Sequence, residues 1–170
     1  MIRLAGAVML AAGSVFLAAG AIAGLKQRVA DLYQLISGLE TVLRELDYRL
    51  APLPELLRLA AGQTQGAVAR FFSLAADGVD RPERGSFQEL WRAAAKESRL
   101  CLDKEDLLLL HQLGGVLGSY DGENQCRALQ MTLTRLEEQH RVAQERSGRL
   151  GRVYGVLCVS AGAFVLILLL

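Results

Sequence analysis

The sequence predicts an all-α protein: a six-helix cytoplasmic bundle flanked by one N-terminal and one C-terminal transmembrane helix. Three observations point there. Of 170 residues 52% are hydrophobic, yet 22% are charged, too apolar for an ordinary soluble domain and too charged for a set of membrane spans alone. The apolar excess sits at the two ends, Leu4 to Leu25 and Val153 to Leu170, and neither run contains a charge. Between them the apolar residues recur at steps of three and four, with no stretch of strict alternation that would mark a strand.

At 1.5 Å per residue the two end runs reach about 33 Å and about 27 Å, against a hydrocarbon core of about 30 Å, so each can cross a bilayer. They divide the chain into an N-terminal span over 1–25, one compact domain over 26–152 and a C-terminal span over 153–170. The first run also has features of a signal peptide, with Ala21-Ile22-Ala23 as the small-residue site. Its length, and a helical pattern that continues through Lys26 without a loop, favour an uncleaved span. Arg141, Arg146, Arg149 and Arg152 precede the second span and no basic residue follows it, which orients the central domain towards the cytoplasm.

The first span runs on into a helix whose seam is Leu25, Val29, Leu32, Ile36, Leu39, Leu43, Leu46 and Leu50, closed by Pro52-Leu53-Pro54. Short helices follow over Pro54 to Gly62 and Gln65 to Ala76, the second with Val68, Phe71, Phe72 and Ala75 on one side. Asp77-Gly78 through Gly85 reads as the longest polar loop. Ser86-Phe87-Gln88-Glu89 is a capping box that opens a helix with Phe87, Leu90, Trp91 and Ala94 inward. Asp103 caps the next, which runs to about Ser119. Asp121, after the turn at Tyr120, is placed to cap the last long helix. Its seam of Cys126, Leu129, Leu133, Leu136, His140, Ala143, Ser147 and Leu150 leads into the second span. The two seams fit either against each other as a stalk or against the core of the domain.

The pattern of charge and motif excludes several functions. Net charge is +1 with both signs interleaved, so no basic stripe for nucleic acid stands out. The chain has no phosphate loop, no paired-cysteine metal spacing, no His-Glu-x-x-His and no Gly-x-Ser-x-Gly, which argues against an enzyme and against any cofactor. The two histidines, His111 and His140, lie in helical apolar patterns without a neighbouring ligand set. Cys101, Cys126 and Cys158, three in number and widely spaced, read as free thiols. Gly114 and Gly118, four apart on a helix, let a neighbouring element approach closely, either inside the bundle or from a partner, at a helix-propensity cost of about 1 kcal/mol each. Both spans carry small-residue stripes, Gly6, Gly13, Gly20 and Gly24 in one and Gly151, Gly155, Cys158 and Gly162 in the other, suited to pairing in lipid.

Tyr48 with Pro52-Leu53-Pro54-Glu55, Trp91, and Leu113-Gly114-x-x-Leu117-Gly118-x-x-Asp121-x-x-x-Gln125, together with the end spans, resemble the stage III sporulation protein AB family over essentially the whole length. The resemblance implies a part in the channel complex between mother cell and forespore, in the mother-cell (outer forespore) membrane. It also implies a middle domain similar to the F platform proteins of type II secretion systems. The partner implied is the stage III sporulation protein AA ATPase, alongside other channel-complex proteins. Platform proteins carry two such domains and this chain one, so a homo-oligomer is a further expectation. On this reading Arg81, Arg84 and Glu123, at the turns farthest from the spans, are the candidate partner contacts, and the long helices near Arg44 and Arg135 are the rival face. Gly114, Gly118 and Asp121 are the candidate packing and turn residues. A transmembrane signalling or adaptor protein is the alternative class.

Overall fold

The computed structural model describes residues 2–49, 52–80, 85–118 and 122–169, with the side chains of 2–19, 21, 47–49, 152, 154–159 and 161–169 outside that description. Among the described residues there are six helices and no strand: α1 (Ile2–Arg49), α2 (Leu53–Gln63), α3 (Gly66–Val79), α4 (Phe87–Ser98), α5 (Lys104–Leu117) and α6 (Gly122–Leu169). Two units divide them, Met1–Gln27 with Val142–Leu170, and Arg28–Arg141. Within the first unit both chain segments are helical, as the ends of α1 and α6. Among the described residues no helix is long and apolar enough to cross a membrane. The apolar runs fall mostly on positions whose side chains lie outside the description.

The second unit is a helical bundle around one core. Leu32, Leu35 and Leu39 of α1, Leu56 and Leu57 of α2, and Val68, Phe71 and Phe72 of α3 are fully or almost fully buried. Trp91 of α4, Leu110, Leu113 and Leu117 of α5, and Leu129 and Leu136 of α6 complete it. Full burial of a large aliphatic or aromatic side chain contributes about 1.5–3 kcal/mol. On α1 the buried face includes Arg28, Asp31, Leu35, Thr41 and Val42 as well as Leu32, Ile36 and Leu39, while Val29 and Leu43 are only half-buried. The α1 stripe is therefore turned into the bundle and is broader than the eight-residue seam.

Local chemistry sets the helix ends. Pro52 caps α2 with φ −59° and ψ 139°, and its carbonyl accepts the Glu55 N–H at 2.9 Å. The capping box ahead of α4 is formed: the Ser86 Oγ accepts the Glu89 N–H at 3.3 Å and the Glu89 Oε2 accepts the Ser86 N–H at 2.9 Å. Those bonds hold the exposed Glu89 carboxyl below its usual range. α4 ends at Arg99, a left-handed residue with φ 58°.

The expected loop from Asp77 starts later than predicted, because α3 continues to Val79. Gly78 reads as a turn residue in the sequence but serves packing: a Cβ there would lie 3.2 Å from the Leu90 Cβ of α4. The neighbouring Asp80 pairs with Arg58 of α2. α5 stops at Leu117, two residues short of the predicted end.

Candidate functional site

Charge is buried in quantity at one place in the second unit, where its first residue, Arg28, meets the start of α5. Arg28 is 5% exposed and Asp106 is fully buried. The Arg28 Nε donates to the Asp106 Oδ2 at 2.8 Å and its Nη2 donates to the Asp106 Oδ1 at 3.1 Å, a fork-to-fork pair joining helices 78 residues apart in sequence. The Arg28 Nη1 also lies 2.8 Å from the Asp103 Oδ2, and Nη2 donates to the Gln139 Oε1 at 3.4 Å. Gln139 in turn donates to Glu105 at 3.0 Å.

The same Asp106 closes a capping box, its Oδ2 accepting the Asp103 N–H at 2.9 Å. One turn along α1, the buried Asp31 accepts the Cys101 N–H at 2.8 Å. The hydrogen bond to Asp106 raises Arg28 above its ordinary value, with burial opposing. Desolvation first, and Asp31 second, push the Cys101 thiol up, which makes it a poor nucleophile. Among the described residues no buried side-chain nitrogen or oxygen is left without a hydrogen-bond partner.

This arrangement binds elements rather than substrates. It ties the root of α1, the α4–α5 junction and α6 to one another through bonds that each demand a particular donor and acceptor. A buried ion pair is weak evidence for stability, because desolvation offsets most of its attraction, and its best-attested use is to specify register. Among the described residues no group of three or more His, Cys, Asp or Glu is placed to hold a metal.

The far end of α5 is held by shape. A Cβ on Gly114 would fall 2.3 Å from the Trp91 Cδ1, and one on Gly118 would fall 3.0 Å from the Phe87 Cβ. The glycine stripe thus receives the indole and phenyl rings of α4. Trp91 Nε1 donates to the Leu110 carbonyl at 2.7 Å, and the Phe71 ring packs edge-on against it with centroids 4.7 Å apart. Gln125, 8% exposed, donates to the Leu117 carbonyl at 2.9 Å and so ties α6 to the last turn of α5. Arg81, Arg84 and Asp121 lie outside the described residues. Glu123 is exposed and pairs with Arg127 at 3.1 Å, one turn along the same helix. His111 is half-buried, and burial followed by the charge of Arg92 holds its imidazole below the ordinary value. His140 packs at a tilt on Tyr33, ring centroids 6.1 Å apart.

Arg28 and Asp106 are the pair that sequence reasoning did not single out. Two signals were present. Arg28 stands four residues before Leu32 and seven before Leu35, on the inner face of α1. Asp103-x-x-Asp106 has the spacing of a capping box, with a second acid able to turn inward.

The family model for stage III sporulation protein AB matches residues 3–170. The chain belongs to that family. The stage III sporulation protein AB of Bacillus subtilis (strain 168) is 25% identical over 172 residues, with all of both chains covered. A solved structure of a stage III sporulation protein AB superposes with a TM-score of 0.65 at 27% identity, covering 72% of this chain and 97% of the other. The family model's match takes in the polar anchor, the glycine-bearing α5 and both long helices, and it supports a sporulation role.

Proposed function

We propose that the protein is a membrane-anchored platform in the channel complex between mother cell and forespore, a scaffold rather than an enzyme. Leu4–Leu25 and Val153–Leu170 are its spans, and the bundle stands in the mother-cell cytoplasm, where it couples the stage III sporulation protein AA ATPase to the membrane apparatus. The observation that carries this reading is the continuity of α1 and α6. Each is a single helix of 48 residues, with a charge-free apolar run at one end and a share of the bundle core at the other. At about 1.5 Å per residue such a helix is more than twice as long as a bilayer core is thick, so it can both span and support. The Arg28 anchor joins the root of α1 to the bundle through bonds that resist slippage.

The test is topological. Glu123, whose side chain is 84% exposed, is replaced by Cys in the full chain, and intact sporulating cells are treated with a thiol reagent that does not cross membranes. The expected result is protection in intact cells and labelling after permeabilisation. Labelling without permeabilisation, or release of the protein from membranes by alkaline carbonate, overturns the reading.

A further inference from the structure

Two side-chain hydrogen bonds fix how α5 and α6 lie together. Gln139 reaches Glu105 at 3.0 Å, and Gln125 reaches the carbonyl of Leu117 at 2.9 Å, so the helices run antiparallel with their residue numbers rising in opposite directions. A groove of about 800 Å³ opens along one side of this pair, lined by Leu108, Leu109, Thr134, Arg135 and Glu138 among others. It is prolonged by a smaller one of about 220 Å³ that shares Leu109 and Arg135 and adds Val116, Ala128 and Met131. From Glu105 to Val116 the distance along α5 is about 16 Å, room for roughly three turns of a helix.

Two features of this groove call for a partner. Leu108 is 56% exposed and Met131 is 58% exposed, a pair of large apolar side chains on adjoining helices beside a concave surface. Arg135, which lines both hollows, makes no ion pair or hydrogen bond among the described residues, and neither does Glu137, which lines only the larger one, whereas the nearby Arg141 is held by Glu138 at 2.6 Å and Glu105 by Gln139. Arginine and methionine are both enriched at protein interfaces, and here an unpaired guanidinium lies beside exposed Leu and Met.

We propose that the α5–α6 groove seats an amphipathic helix of a partner protein, which lays its apolar stripe on Leu108, Leu109 and Met131 and sets a carboxylate against Arg135. A helix is convex and fills a groove, whereas a second copy offering the same face sets concave against concave and leaves a void. Arg135 stands where the two hollows meet and Glu137 borders only the larger, so the charge at the centre of the stripe selects an acid over a base there. A three-turn contact is smaller than the roughly 800 Å² per partner of a standard interface, so it serves as one anchoring point in a larger assembly. The proposal rests on the bundle alone and holds whichever side of a membrane the bundle occupies.

Two amphipathic helical peptides test it, identical except for a Glu or a Lys at the centre of the apolar stripe, titrated by fluorescence anisotropy against the full chain in detergent. The Glu peptide is expected to bind about tenfold tighter than the Lys peptide, an order that Arg135→Glu reverses. Met131→Asp, an exposed site, abolishes binding of both while leaving the helical circular dichroism intact. Equal binding of the two peptides, no binding, or a preference untouched by Arg135→Glu overturns the proposal. In sporulating cells a photo-crosslinking residue at Met131 is expected to join an acid-bearing amphipathic helix of a second protein, identified by peptide mapping, and the same residue at Leu59 is not. An adduct with another copy of this chain, an adduct with lipid, or no adduct overturns it.

Discussion

α5 is gripped at its two ends by different physics. At its start the Asp106 carboxylate is clasped by the Arg28 guanidinium, both with little or no contact with water, and by its own cap. Near its end Gly114 is covered by the indole of Trp91, with only the bond to the Leu110 carbonyl to direct it. The aromatic socket draws its energy from burial and is satisfied by any well-fitting volume. The anchor gains little net energy, but no shift of α1 along α5 by one residue or one turn preserves its bonds. A bundle held only by the first kind of contact can slide. One that also holds the second has a defined register where α1 enters the unit.

Breaking the anchor from one side has the largest expected effect. Asp106→Ala leaves Arg28 buried with only the more exposed Asp103 and removes the cap, and is expected to cost about 3 kcal/mol, the lower end of the range for stranding one partner of a buried pair. The double replacement Arg28→Met with Asp106→Leu is expected to fall within about 1 kcal/mol of the parent. Denaturant midpoints of the three full-length proteins check both. If the double variant is as unstable as the single one, the anchor is a source of stability rather than of register. If it is stable and spores still form at the parental frequency, register at this point is dispensable.

The socket is tested by filling it. Gly114→Ala brings a methyl group to within 2.3 Å of the Trp91 Cδ1, and Trp91 is 0% exposed and pinned by its hydrogen bond. Overpacking of this kind costs about 1–3 kcal/mol, from which the better helix propensity of alanine returns up to about 1 kcal/mol. A lowered midpoint together with a shifted tryptophan emission is expected. An unchanged emission spectrum would mean that the ring is not seated on the glycine.

The same contrast explains what could be read before the structure. Periodicity and caps located the six helices seen among the described residues, because an apolar stripe, Pro52, and Ser86 with Glu89 act through neighbours in sequence. Gly78 misled, since a glycine beside an aspartate looks the same whether it turns a chain or admits Leu90 from another helix. Glycines 114 and 118 were legible as packing residues, but not the rings that fill them. The Arg28–Asp106 pair escaped because its partners lie 78 residues apart and each has a local explanation, one as a charge flanking an apolar run and one as an acid in a first helical turn.

The smallest expected effect separates the two ends of α5 by pH. His111 lies between them on the helix, with its imidazole held below 6.5 by burial first and by Arg92, the neighbour of Trp91, second. A base whose folded value is depressed binds fewer protons in the folded state than in the unfolded one across the interval between the two values. Stability therefore rises with pH through that interval. The contribution is neutral above about pH 6.5 and becomes destabilising as pH falls below it. Glu89 and Glu138, each held below 4.5, act in the opposite sense of charge but the same sense of pH, and their windows begin only below 4.5. Between about pH 7 and about pH 5 the histidine is thus separable from those two carboxylates. Denaturant midpoints measured over that range should decline towards acid in the parent and decline less in His111→Gln. Parallel curves would place the acid sensitivity elsewhere.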